Sequence, residues 1–258
     1  MDLSWQVVLF LVLAALTAGW VDAVVGGGGL VQLPSLLIAL PDESVPTISG
    51  TNKISSAAGT LVATATYVRK VRIRWVYALP LMGAAYVGST IGAALVSLMP
   101  REAFTPIVLV ALVGVGAYTL RKKQMGLEHH VRHEGFTLVA VLLAIGIVVG
   151  IYDGFLGPGT GSFFVIALVA LLGYGFLQAS AMAKLANLTT NVAAIVVLHD
   201  DIYWQIGLLM AAANLTGGFF GAQMAVRYGN AFVRKVFLVV VAILVVRLSW
   251  DTLRLLVG

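Results

Sequence analysis

The chain has 258 residues, of which 60% are hydrophobic and only 10% are charged. A soluble domain usually carries about 25% charged residues, so this composition indicates an integral membrane protein. The net charge of +5 does not indicate nucleic-acid binding, because the basic residues are concentrated in a few short loops, as in the cytoplasmic loops of membrane proteins. The absence of cysteine excludes disulfides, thiol catalysis and cysteine-bound metals.

The apolar stretches fall into two series. A membrane-spanning helix needs roughly 20 apolar residues, and the residues before Trp5 lack the basic region of a signal peptide, so the first stretch is predicted to be a retained helix. The first series covers residues 5–25, 30–40, 48–68, 75–98 and 104–120. The second series corresponds to it segment by segment and covers residues 136–156, 162–172, 177–198, 204–226 and 232–248. This predicts a repeat at 1–120, a basic linker at 121–135 and a second repeat at 136–258.

A shared motif supports the duplication. The sequence GWVDAVVGGGGL in the first half returns as GIYDGFLGPGTG in the second, which aligns Asp22 with Asp153 and Lys53 with Lys184. The apolar segment after each motif has about 11 residues, too few to cross the membrane upright at 1.5 Å per residue. Each is therefore predicted to be a re-entrant half-helix or the short arm of a broken helix pair, which gives three or five crossings per half.

The loop charges predict opposite orientations for the two halves. The loop after the third segment of the first half is basic and contains Arg69, Lys70, Arg72 and Arg74. Its counterpart at His199–Asp201 contains neither Lys nor Arg. Because cytoplasmic loops carry an excess of Lys and Arg, this pattern predicts inverted repeats with an odd number of crossings each. The linker is then cytoplasmic, both termini lie outside, and the predicted location is the inner (plasma) membrane.

Glycine-rich turns at residues 26–29 and 157–161 interrupt the apolar sequence. Glycine in a helix interior costs about 1 kcal/mol relative to alanine, and Pro158 lacks an N–H, so both turns should break their helices. Broken backbone within a membrane must be buried in protein or line a polar cavity. Each turn also starts a short helix, whose free N–H groups favour an anion. A tight helix crossing is the alternative, but repetition in opposite orientations favours a site where the turns converge near the midplane.

Each turn is preceded by an aspartate, Asp22 or Asp153. A carboxylate at membrane depth is costly and usually has a function. One interpretation is that these residues carry coupling protons. The other is structural: they cap the N–H groups of the broken turn or form ion pairs with lysine.

A lysine begins a polar stripe in each half. Lys53, Ser56 and Thr60 share one helix face, and Lys184 shares the equivalent face with Asn187 and Asn191, the latter aligned with Thr60. A buried ammonium needs a partner, which is either an aspartate or a bound anion. The neighbouring hydroxyl and amide groups favour an anion, while a purely internal Lys–Asp pair remains the alternative. The predicted substrate contacts are Lys53, Lys184, Asn52, Thr51, Asn187, Asn191, Gly27, Gly28, Gly29, Gly159, Thr160 and Gly161.

Other chemistries have little support in the sequence. His129, His130 and His133 lie in the linker, where a solvated loop is favoured over a metal site. The chain has no Walker motif, zincin motif or catalytic Ser–His–Asp set. This argues against an ATP-driven pump and against an enzyme, and no metal or cofactor is predicted.

Together, the motifs resemble those of the sulfite exporter TauE/SafE family, also called the toluene sulfonate uptake permease family. They are GWVDAVVGGGGL with SGTNK in the first half, and GIYDGFLGPGTGSFF with KLANLTTN in the second. The resemblance covers essentially the whole chain. It implies secondary transport of small sulfur-containing anions such as sulfite, sulfonates or sulfoacetate, although some members are associated with other carboxylates.

The predicted fold is therefore an all-α polytopic membrane protein built from two inverted repeats with discontinuous or re-entrant helices. The predicted function is alternating-access transport of a small anion across the lipid bilayer, with protons as the coupling ions. The sequence does not decide whether the protein forms a homodimer. The alternatives are a passive anion channel, a transporter of a non-sulfur carboxylate, a membrane-embedded enzyme and a scaffold protein.

Overall fold

A computed structural model of the protein describes residues 4–98 and 130–257. Within these ranges the chain forms α-helices and two short 3-10 turns, and it contains no strand. The helices are α1 (Trp5–Val25), α2 (Gly29–Ala39), α3 (Val45–Lys70), α4 (Trp75–Ala94), α5 (Gly135–Phe155), α6 (Thr160–Leu172), α7 (Phe176–Val197) and α8 (Trp204–Val257). The predicted all-helical class is confirmed for the part of the chain described.

Helices α1, α2, α3, α5, α6 and α7 match the predicted apolar stretches to within a few residues, whereas α8 covers both of the last two and extends to Val257. Helices α1, α4, α5 and α7 are long and apolar enough to cross a membrane, while α2 and α6 are shorter apolar helices of 11 and 13 residues. The predicted stretch at 75–98 ends earlier as an α-helix and continues as the 3-10 turn Val96–Leu98. The predicted segment at 104–120 and most of the linker at 121–135 lie outside the described residues.

Glycines end or interrupt several helices. Gly26 follows α1 with a φ of 81°, and Gly157 and Gly159 precede α6 with φ values of 87° and 77°. These left-handed conformations are easily adopted only by glycine, so each glycine-rich turn stops one helix and starts the next. Gly229 interrupts α8 with a φ of 69° and a ψ of −161°, between the predicted stretches 204–226 and 232–248.

Helices of each half of the chain pack along helices of the other half. Helix α1 of the first half packs along α8 of the second, and α5 of the second half packs along α4 of the first. Small residues allow this close approach: a Cβ on Gly92 of α4 would overlap the backbone of α5, and one on Gly217 of α8 would overlap that of α1. Close backbone packing is a main source of helix association in lipid.

The helices that carry the lysines, α3 and α7, contact each other in the centre of this arrangement. Helix α3 also packs against α8, and α7 packs against α4, so each of them contacts a long helix of the opposite half. This packing therefore brings the polar stripes of both halves together.

Candidate functional site

The two glycine-rich turns are in direct contact. The backbone N–H of Ser162 donates to the carbonyl oxygen of Gly26 at 3.0 Å, and the Ser162 hydroxyl donates to the carbonyl oxygen of Val25 at 2.9 Å. Gly26 leaves no room for a side chain, because a Cβ there would overlap the backbone of Gly161. Hydrogen bonds and close backbone packing thus join the turn that ends α1 to the first residues of α6.

Both short helices begin with unpartnered backbone N–H groups. Among the described residues, the N–H groups of Gly28 and Gly29, at the start of α2, have no hydrogen-bond acceptor. The same holds for Gly159 and Gly161 at the start of α6. No side chain caps the N-terminus of either helix. Free N–H groups and the positive end of the helix dipole make such positions favourable for an anion.

Two buried ion pairs cross between the halves. The Lys53 Nζ lies 2.6 Å from the Asp153 Oδ2 and also donates to the Asp153 carbonyl oxygen at 3.0 Å. The Lys184 Nζ lies 2.7 Å from the Asp22 Oδ2. Asp22 is 13% exposed, whereas the Asp153 side chain is only 2% exposed. Each lysine therefore already has a carboxylate partner in the opposite half of the chain, and the positive charges of both lysines are balanced inside the protein.

A small polar cleft lies between these elements. The cleft has a volume of about 10 Å³, which is room for about one water molecule. Its walls combine both turns, one ion pair and the polar stripes. The lining residues are Asp22, Gly26, Gly29, Asn52, Lys53, Ser56, Asp153, Gly157, Gly159, Thr160, Gly161, Asn187 and Asn191.

Most of the predicted site residues line this cleft, but four do not. Lys184 does not line the cleft, and its ammonium group donates a hydrogen bond to the carboxylate of Asp22, which does. Thr51 accepts a hydrogen bond from the backbone N–H of Tyr203 at 3.0 Å and so fastens α3 to the start of α8. Gly27 and Gly28 belong to the first turn but not to the cleft lining.

The cleft also contains residues that are not among the predicted contacts. Gly26 and Gly157 line it through the left-handed positions of the two turns. Ser56 lines it one helical turn after Lys53. The signal for Ser56 is present in the sequence, since it shares the polar stripe with Lys53 and Thr60.

The polar side chains of the cleft form an incomplete network. The Asn191 amide lies 3.5 Å from the Thr60 hydroxyl, which in turn lies 3.4 Å from the Asp22 carboxylate. Among the described residues, the buried Asn52 Oδ1 has no hydrogen-bond partner, and the half-buried Ser56 hydroxyl makes no hydrogen bond either. Buried polar groups normally have partners, so these groups have capacity for water or a small polar ligand.

The described residues include no group of three or more His, Cys, Asp or Glu side chains that could hold a metal ion. His129 lies outside the described part of the chain, so the predicted histidine loop is only partly visible. Within the described part, the chemistry at the centre of the protein is that of hydrogen bonds and ion pairs.

Comparison with known proteins identifies the family of the chain. The family model described as "Sulfite exporter TauE/SafE" matches residues 11–248. The "Probable membrane transporter protein ORF9" of Sinorhizobium sp is 32% identical, covering 97% of this chain and 95% of that protein. The "Probable membrane transporter protein YfcA" of Escherichia coli K12 is 31% identical, covering 95% of this chain and 90% of that protein.

A Haemophilus influenzae protein named "Probable membrane transporter protein" is 29% identical over 97% of this chain and 98% of its own length. No protein of solved structure matches the chain. These names describe membrane transporters rather than enzymes, and the family model spans nearly the whole sequence. The chain therefore belongs to the sulfite exporter TauE/SafE family of membrane transporters.

Proposed function

We propose that this protein is a secondary transporter of small anions, with sulfite and organosulfonates such as sulfoacetate as substrates, driven by the proton gradient. The family and the names of the relatives support membrane transport. The observation that carries the choice of an anion is the contact between two helix starts whose N–H groups are unpartnered at a polar cleft.

The proposed binding mode relies mainly on hydrogen bonds. The N–H groups of Gly29, Gly159 and Gly161 donate to the anion oxygens from the two helix starts, where the helix dipoles favour negative charge. Ser56 and Asn187 complete the site from the polar stripes of α3 and α7. Because Lys53 is already paired with Asp153, its positive charge is balanced by that carboxylate. In this binding mode Lys53 helps to orient the anion but does not offer it an isolated positive charge.

The size of the cleft argues for movement during transport. Sulfite has four heavy atoms, and the cleft has room for about one water molecule, so the walls must separate to admit it. The cleft walls come from both halves, and rocking of one repeat against the other would open it to each side in turn. We propose that the repeats are inverted, with a cytoplasmic linker, both termini outside and an inner-membrane location, on the basis of the loop charges.

The proton-coupling sites in this proposal are Asp22 and Asp153, whose ion pairs join the two moving halves. Protonation of a carboxylate would release its lysine, which links proton binding to separation of the halves. The partial exposure of Asp22 favours this residue as the one that protons reach first.

A flux assay in proteoliposomes tests the proposal. We expect sulfite flux that saturates with concentration and that falls when the proton gradient is collapsed. Sulfoacetate and lactate in parallel assays would separate a sulfur-containing substrate from a simple carboxylate. Flux that rises linearly with sulfite concentration and ignores the proton gradient would indicate a passive channel and contradict the transporter mechanism.

Ser56→Ala is expected to raise the KM for sulfite about tenfold, since a hydrogen bond to a charged group contributes about 1.5–3 kcal/mol. Ser56 lines the cleft and its hydroxyl has no partner among the described residues, so its loss should leave the fold intact. The measurement is the concentration dependence of initial sulfite flux.

The neighbouring Ser55→Ala is the matched control. Ser55 is fully buried on the same helix, and its hydroxyl has no partner among the residues that the structure describes, but it does not line the cleft. We expect its KM to equal that of the wild type. Equal KM values for both variants would remove Ser56 from the proposed site.

A further inference from the structure

We propose that a groove between the end of α3 and the part of α8 before Gly229 binds an anionic phospholipid, with its phosphate at Arg69, Lys70 and Arg227. The groove has a volume of about 530 Å³, within the range of ligand-binding sites. It shares no lining residue with the central cleft, so this inference stands apart from the proposed transport function. Its lining residues are Thr66, Arg69, Lys70, Phe219, Phe220, Gln223, Met224, Val226, Arg227 and Tyr228.

The polar end of the groove is suited to a phosphate. Three cationic side chains line it, and no acidic residue does. Within the described part of the chain, none of Arg69, Lys70 and Arg227 has a carboxylate partner. The Arg227 guanidinium lies 5.6 Å from the Tyr228 ring centre, which helps to hold it in place while leaving its N–H groups for a ligand.

The apolar end of the groove favours a lipid over a soluble anion. Phe219 and Phe220 line the groove and are 42% and 56% exposed. The exposed apolar surface continues along α8 to Leu215 and Leu208, at spacings that keep these residues on one side of the helix. A soluble phosphate would contact only the cationic end of the groove, whereas a phospholipid would also contact the apolar end through its acyl chains.

The position along the helices is consistent with a headgroup at the membrane surface. Arg69 and Lys70 occupy the last turn of α3, and Arg227 lies two residues before the break in α8. Basic pockets between helices at the membrane surface are typical binding sites for anionic headgroups. The basic loop that follows α3 would place this groove in the cytoplasmic leaflet.

Native mass spectrometry of the purified full-length protein tests this inference, with phosphatidylglycerol and phosphatidylcholine of identical acyl chains as probes. We expect one phosphatidylglycerol to bind in preference to phosphatidylcholine. A basic residue near an anionic membrane surface contributes about 1 kcal/mol, so Arg69→Gln and Arg227→Gln should each weaken phosphatidylglycerol binding about fivefold, and the double variant roughly 25-fold.

Lys235→Gln is the matched control, because Lys235 is an exposed cation on α8 outside the groove. It should bind phosphatidylglycerol as the wild type does. Equal affinity for the two lipids, or unchanged binding in the double variant, would overturn the proposal. Competition by millimolar inorganic phosphate would also overturn it, since it would identify a soluble-anion site.

Discussion

Gly26→Ala is expected to destabilise the protein by about 3 kcal/mol or more and to abolish transport. The left-handed conformation at Gly26 costs an alanine about 1–2 kcal/mol. The added Cβ would also overlap the backbone of Gly161, and overpacking of this kind typically costs about 1–3 kcal/mol. Backbone cannot rotate away as a side chain can, so the two turns must separate and lose the bond between Ser162 and Gly26.

The measurement is thermal unfolding of the purified variant, whose midpoint should fall by roughly 10 °C. Gly83→Ala is the control, because Gly83 lies within α4 and a Cβ there meets no atom within 4 Å. Alanine is the better helix former, so this variant should be as stable as the wild type. If Gly26→Ala unfolded at the wild-type temperature, the two turns could not be in the contact described.

The helix breaks could be predicted from sequence because their cause is local. Gly26 and Pro158 act through their own backbone conformation and hydrogen-bonding capacity, whatever surrounds them. In the region of α8 the sequence predicted two apolar stretches with a basic loop between them, and the structure places a break at Gly229 there. By contrast, the packing of α1 along α8 joins residues far apart in sequence, and nothing in the local pattern specifies it.

The repeat alignment identified the ionisable residues of the centre but did not decide between their two predicted partners. It made Asp22 equivalent to Asp153 and Lys53 equivalent to Lys184, and it favoured a bound anion over a Lys–Asp pair that locks the repeats together. In the structure each lysine pairs with the aspartate of the other half, and this pairing depends on how the helices of the two halves pack against each other.

Helical geometry explains which stripe residues reach the cleft. Thr51 precedes Lys53 by two positions, which places it about 200° around a helix of 3.6 residues per turn. It therefore faces Tyr203 rather than the cleft. Ser56 follows Lys53 by three positions, on the same face, and lines the cleft.

The second large effect is expected at the Lys53–Asp153 pair. Lys53→Met removes the ammonium and leaves the carboxylate of Asp153, only 2% exposed, without its partner. Breaking a buried ion pair in this way typically costs about 3–5 kcal/mol. We therefore expect severe loss of thermal stability. Lys184→Met should cost less, because Asp22 is 13% exposed and retains contact with the Thr60 hydroxyl.

The double variant Lys53→Met/Asp153→Leu separates stability from transport. Replacing a buried ion pair by apolar residues of similar volume is often neutral or stabilising, so thermal stability should return towards that of the wild type. Transport should not return, because the cleft would lose two of the three charged groups that line it, and one of these two is a proposed proton site. A double variant that is stable and transports sulfite at the wild-type rate would show that this pair only clamps the repeats together. The anion site would then consist of the helix starts and the polar stripes alone.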